Sequence, residues 1–327
     1  VTADRLSRLA GRVLMVGWDG PPERVLKALE AGRARGAILF SRNVESAEQV
    51  KALTASLQAA GGGDVAIGVD QEGGPVARLE RAGLPAGPAA REIAAGGDPE
   101  AAYRWGLETG RALKALGFTV DFAPVLDVDT NPDNPVIGRR AWGATPEAVT
   151  AFAGAAARGL KAAGVRACGK HFPGHGDTAL DSHKALPVVA HDAARLEAVE
   201  LAPFAALTGS LDAIMTAHVV YPAWDPERPA TLSASIVTGL LKGRLGFAGA
   251  VVSDDLEMAA VADRYGVDEA AVLAVAAGVD VLLVCHTPER WERAHEALVR
   301  EAEASPAFRA RLADAAARAA SLRPLST

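Results

Sequence analysis

Eight short apolar runs recur along the chain, each ending in polar or glycine residues and each separated from the next by a stretch long enough for a helix. They are Arg12 to Trp18, Gly36 to Phe40, Val65 to Val69, Phe118 to Pro124, Val165 to Gly169, Leu211 to Thr216, Gly249 to Ser253 and Val279 to Cys285. Runs such as AILF and VLLVC are apolar on both faces, which suits parallel strands covered by helices better than the strict alternation of a half-wet antiparallel sheet. The intervening segments carry helix punctuation. Asp98 before Pro99 and Thr145 before Pro146 place a capping side chain ahead of a proline whose missing N–H costs nothing at the first helical position, and Gly117 and Gly164 supply stops. This alternation runs end to end without a Pro/Ser-rich linker, and predicts an α/β fold: a single (β/α)8 TIM-like barrel forming one domain over residues 1–327. A doubly wound open sheet is the structural alternative. The Gly/Ala/Pro-rich stretch Gly73 to Gly97 makes the third crossover the least regular.

With 50% hydrophobic and 23% charged residues the chain can build a large core. A net charge of −6 argues against a broad phosphate-binding surface, so nucleic acid is not an expected partner. Cys168 and Cys285 both lie in apolar runs, which predicts buried thiols and excludes a disulfide framework. The most apolar window, Ala270 to Cys285, is interrupted by Gly278 and Asp280 and is too short to cross a bilayer. Val1 to Gly11 lacks an apolar signal core, which favours a cytoplasmic location, although the missing initiator Met leaves a processed start open. Arg300 to Arg323 alternates charge with Ala and Leu at helical spacing and reads as a solvated helix face.

In such a barrel the chemistry sits at the carboxyl ends of the strands, so polar residues just after each apolar run are the candidates. Strand three ends in Asp70, followed by QEGG; strand four in Asp127 and Asp129; strand five in Lys170 and His171; strand six in His218; strand seven in Asp254 and Asp255. An aspartate capping the next helix is the plain alternative for any one of them. The densest feature is KHFPGHGDTALDSH, Lys170 to His183, with three of the seven histidines. Uniform spreading would place about 0.3 there. Its glycines and proline forbid a regular helix and predict a functional loop leaving strand five. An imidazole can give and take a proton near neutral pH if a partner fixes its tautomer, and Asp181 stands two residues from His183. Two chemistries fit. One is a metal site, which the absent HxH at the end of strand one and the charge of Lys170 disfavour. The other is covalent acid/base chemistry as in retaining glycoside hydrolysis, with Asp254 as nucleophile.

The strings VDQEGG (Val69 to Gly74), KHFPGHGDTALDSH, MTAHVVYP (Met215 to Pro222) and SDDLEM (Ser253 to Met258) resemble glycoside hydrolase family 3, and within it the single-domain bacterial β-N-acetylglucosaminidases that recycle cell-wall fragments. The resemblance runs from about Leu14 to Cys285. It implies that Asp254 forms a glycosyl-enzyme intermediate, that His183 is the general acid/base and that Asp181 orients it. It further implies that Asp70, Arg78, Arg140, Lys170 and His171 hold the hydroxyls of the terminal sugar. The implied substrates are GlcNAc-containing muropeptides or chito-oligosaccharides, with no cofactor or metal and with a monomer as the expected state. Phosphorolysis and β-glucosidase activity stay open, as do a metal-dependent hydrolase and a non-catalytic sugar-binding barrel. The sequence departs from the pattern at Pro75, where the family commonly has Arg, and at Arg139, often Asp; His218 and Asp255 carry no implied role.

Overall fold

A computed structural model describes residues 2–182 and 186–324. Each of the eight apolar runs supplies a strand of one closed parallel barrel: β1 (Leu14–Val16), β2 (Gly36–Leu39), β3 (Ala66–Val69), β4 (Val120–Asp121), β5 (Arg166–Phe172), β6 (Ala213–Thr216), β9 (Ala250–Asp255) and β10 (Val281–Val284). Between β6 and β9 in the chain, β7 (Val220–Tyr221) and β8 (Asp225–Pro229) form an antiparallel ribbon outside the barrel. Closure is made where Leu14, Met15 and Val16 pair with Leu282, Leu283 and Val284, which excludes the open-sheet alternative.

Doubly apolar strands are needed because each faces two cores. Met15, Ile38, Ala66, Val120, Phe122, Cys168, Met215, Val252 and Leu283 fill the barrel interior. Their neighbours Leu14, Val16, Leu39, Ile67, Val69, Ile214, Val251 and Leu282 pack outward against the helices, the alternation a pleated strand requires. Both cysteines are buried free thiols. The helices bury one stripe each: Pro288–Ala304 turns Trp291, Ala294, Leu298 and Ala302 inward.

The punctuation read from the sequence is realised. The Asp98 side chain accepts the Glu100 N–H at the start of Pro99–Ala115, and Thr145 accepts that of Ala148 at the start of Pro146–Ala162. Gly117 and Gly164, just past the ends of these helices, take φ of 90° and 85°. The two helices touch backbone to backbone. A Cβ on Gly106 would stand 2.2 Å from the Ala156 carbonyl oxygen, and one on Gly159 would stand 2.2 Å from that of Tyr103.

Two elements differ from the sequence reading. The basic C-terminal segment is split at Ser305, which caps a second helix, Pro306–Ala319. Its Arg311 is no mere solvated charge: it reaches under the barrel to the fully buried Asp280, which also takes Lys242 at 2.8 Å. The third crossover has a single turn at Glu80–Ala82 and a short helix, Ala90–Ala95, before the long one. No helix among the described residues is long and apolar enough to cross a membrane.

Candidate active site

The carboxyl ends of the barrel strands open into a cavity of about 190 Å3. Asp70, Arg78, Arg140, Lys170, His171 and Asp254 all line it, so six of the eight residues expected from the sequence meet there. Asp181 does not line it, although the adjacent Ser182 does; it sits half-buried in the loop. His183 lies outside the described residues.

The strands deliver these side chains differently from the sequence reading. Lys170 and His171 lie within β5, which continues to Phe172 rather than stopping at Gly169, and Asp254 and Asp255 are the last two residues of β9. The loop proper begins at Pro173. Its base is pinned: the Tyr221 hydroxyl donates to the Gly174 carbonyl at 2.7 Å, and the Asn134 amide donates to the carbonyls of His175 and Gly176, each at 2.9 Å. Gly176 must be glycine, since a Cβ there would fall 1.8 Å from the Val128 carbonyl oxygen.

One wall is an ion network. Lys170 Nζ lies 2.7 Å from Asp70 Oδ1 and 2.6 Å from Glu72 Oε1, and Arg140 grips Glu72 through Nε and Nη2, both at 2.8 Å. The two flanking cations hold the buried Glu72 carboxyl well below the usual range despite desolvation, while its negative charge and that of Asp70 raise Lys170. Glu72 was not singled out from the sequence beyond its place in QEGG. The signal was a charge count: three cations had been assigned around one aspartate, and buried cations require counter-anions.

Asp127, which follows β4 between the two strands carrying that network, holds His171. This fully buried carboxylate accepts the His171 ring Nδ1–H at 2.7 Å and the backbone N–H groups of His171 and His175, at 3.1 and 2.6 Å. His171 Nδ1 is thereby committed as donor, leaving Nε2 as its other polar atom. His175, also missed as an individual residue, is buried and held between the Thr178 and Ser182 hydroxyls at 2.8 and 3.0 Å. Burial lowers its pKa to about 4, so it is neutral at pH 7. Asp129, named from the sequence beside Asp127, pairs with Arg91 at 2.7 Å and stays out of the cavity.

At the end of β9 the Asp254 carboxylate accepts the Asp255 backbone N–H at 2.8 Å. Asp255 also lines the cavity, but its Oδ1 accepts from the backbone N–H groups of Glu257 and Cys285, and burial beside Glu257 and Asp254 pushes its carboxyl up to about 7. His218, fully buried past β6, donates from Nε2 to the Asp255 carbonyl at 3.0 Å and meets the Thr231 hydroxyl through Nδ1 at 2.8 Å. These two contacts brace the end of β6 against that of β9. Pro75 occupies a tight turn closed by paired Gly73 and Val76 hydrogen bonds, where its missing N–H costs nothing, and Arg139 pairs on the surface with Glu92. Among the described residues no group of three or more His, Cys, Asp or Glu side chains is placed to hold a metal ion.

The model of the glycosyl hydrolase family 3 N-terminal domain matches residues 12–322, from β1 through the last helix. The chain belongs to glycosyl hydrolase family 3. It is therefore a glycoside hydrolase, and its family 3 barrel is matched by relatives over most of its length. A protein named beta-hexosaminidase from Pseudomonas aeruginosa is 43% identical over 281 residues, covering 85% of this chain and 82% of that protein. The structure of a family 3 β-N-acetylglucosaminidase from Paenibacillus sp. superposes with a TM-score of 0.90 at 42% identity, over 98% of this chain but 64% of that one. This chain thus spans less than two thirds of that protein. A β-N-acetylhexosaminidase from Beutenbergia cavernae gives a TM-score of 0.89 at 34% identity, with 96% of this chain and 97% of that one covered. Within this family 3 site, Asp70, Glu72, Lys170 and Arg140 form one charged wall and Asp254 stands on a different strand, so charge-bearing donors and a carboxylate face a common cavity.

Proposed function

We propose that the protein is a retaining exo-β-N-acetylglucosaminidase acting as a single catalytic barrel. The coarser part rests on family membership and on the names of its relatives: it is a β-N-acetylhexosaminidase acting on GlcNAc-containing substrates. The finer part, a covalent Asp254 intermediate with a His183/Asp181 acid-base pair acting on terminal GlcNAc of muropeptides or chito-oligosaccharides, is our reading of the site. A cytoplasmic location and a role in cell-wall recycling belong to the same proposal and rest on the motif resemblance.

The observation that carries it is the meeting of Asp254 with Asp70, Arg78, Arg140, Lys170 and His171 in one cavity. Asp70, Lys170 and Arg140 offer charged acceptors and donors to ring hydroxyls. Arg78 Nε is buried without a hydrogen-bond partner among the described residues, the condition a substrate oxygen would relieve. In the first step an Asp254 oxygen bonds to the anomeric carbon while the glycosidic C–O bond breaks, and the leaving oxygen takes its electron pair and a proton from His183. In the second, water gives a proton to His183 and its oxygen displaces the carboxylate from the same carbon, so two inversions give retention. An imidazole in place of a second carboxylate avoids like-charge repulsion with Asp254.

Asp254→Ala is expected to abolish turnover of an aryl GlcNAc glycoside, and a 2-fluoro sugar to label Asp254, as read by peptide mass spectrometry. His183→Ala should slow substrates with poor leaving groups far more than activated ones. Full activity of the Asp254 variant, or an inverted product, would sink the reading. Phosphorolysis of the same sugars is the second reading and is separated by whether millimolar phosphate diverts the product to the sugar 1-phosphate.

A further inference from the structure

We propose that Arg12, Arg35 and Arg323 form a binding site for a phosphate group at the amino end of the barrel, on the face opposite the catalytic cavity. Arg12 stands two residues before β1, Arg35 immediately before β2, and Arg323 just after the last turn, Ala320–Leu322. The three line a small pit together with the first residues of β1, β2, β3 and β10. Two of them are fixed in place. Arg35 donates from Nη1 to the Gly61 carbonyl at 2.5 Å, and Arg323 donates from Nη1 to the Asp64 carboxylate at 2.7 Å. The turn that carries Arg323 is tied to the barrel by the Thr119 hydroxyl, which donates to the Leu322 carbonyl at 2.9 Å. Guanidinium groups held in this way lose little freedom when a ligand arrives.

Charge and an unmet donor name the ligand class. Among the described residues Asp64 is the one carboxylate paired with any of the three, and no acidic side chain lines the pit, so positive charge is left over. The Arg323 side chain is only 11% exposed, and its Nη2 is buried with no hydrogen-bond partner among the described residues. A buried donor left unpaired costs free energy that an incoming acceptor restores. Burial lowers the Arg323 pKa from its ordinary value; Asp64 opposes this, and the nearby charges of Arg12 and Arg35 add to it, a repulsion that an anion would relieve. The pit holds about 10 Å3, room for roughly one water-sized atom. It therefore admits a single ligand oxygen, and the others must stay at the rim, where the exposed Arg12 makes no side-chain hydrogen bond or ion pair among the described residues. A tetrahedral phosphate divides its oxygens in this manner, and the planar guanidinium fork matches it. A net charge of −6 disfavours a broad phosphate-binding surface but not a pit one phosphate wide. Soluble phosphates and lipid headgroups both present this group, and the test separates them.

The test is calorimetric titration of the wild type, Arg12→Gln and Arg323→Gln with inorganic phosphate at fixed ionic strength. The wild type is expected to bind, and Arg12→Gln to bind about tenfold more weakly with its kcat/KM on an aryl GlcNAc glycoside unchanged. Arg12 is exposed, so that variant decides the matter even if Arg323→Gln does not fold. No binding by the wild type, or equal binding by wild type and Arg12→Gln as a phosphate held in the catalytic cavity would give, would overturn the assignment. Sedimentation with phosphatidylglycerol vesicles then identifies the source. Binding to vesicles that Arg12→Gln weakens assigns a lipid headgroup, and its absence alongside phosphate binding assigns a soluble phosphate.

Discussion

Glu72 shows how much of the sugar-facing wall depends on one side chain that touches two cations at once. Neutralising it would leave Lys170 and Arg140 buried without their shared anion, a situation that typically costs about 3–5 kcal/mol. Asp255 makes the opposite point, since its surroundings disfavour charge. With a folded value near 7 against about 4 in an unfolded chain, the native state binds the extra proton between those limits. Its contribution to stability is therefore present at the acid end of that window and lost as pH rises through about 7. Asp255→Asn keeps an acceptor for the Glu257 and Cys285 amides and cannot ionise. Urea midpoints of wild type and variant should diverge in the variant's favour from pH 5 to pH 8, and a constant difference would contradict this. At this scale the sequence was legible as to place, since Asp70, Lys170 and Asp254 all reach the cavity. It was opaque where a role comes from neighbours distant in the chain, as for Glu72, His175 and His218.

The strand and helix signals were legible because apolar runs and capped prolines are local. Where each strand stops was not. β5 continues through the polar Lys170 and His171 because Asp70, Glu72 and Asp127 are there to receive them, and no window of sequence contains those partners. The β7–β8 ribbon was missed because DPERP, with two prolines, reads as a non-strand. The helix spanning Ala259–Ala277 is interrupted at Gly266, whose φ of 71° marks a break inside an otherwise helical pattern. The tight crossing of Pro99–Ala115 with Pro146–Ala162 yields a prediction for this scale. Gly106→Ala should cost about 1–3 kcal/mol in urea unfolding, because its methyl would meet the backbone of Ala156 and Leu160 rather than a side chain that can yield. An unchanged midpoint would mean that the crossing yields freely.

Across the whole barrel, polar burial is concentrated at two ends with separate duties. At the end opposite the cavity Asp280, preceding β10, accepts the Val251 N–H and binds Lys242 and Arg311, tying the C-terminal helix to the barrel floor. Asp280→Asn should destabilise the protein by about 3–5 kcal/mol by stripping the charge partner from two cations, while the kcat/KM of the folded fraction stays unchanged. Chemical denaturation and initial rates measured on the same sample check both halves. The order of the staves carries a last implication. β6 stands between β5, which leads into the loop proposed to carry the proton donor, and β9, which carries Asp254 at its next-to-last position, and His218 locks that middle stave to the Asp255 carbonyl. Two ladder spacings, about 9–10 Å, therefore separate β5 from β9. Because that gauge is made of main chain, side-chain drift elsewhere in the mouth could retune which sugar is admitted without altering the spacing of the strands beneath it.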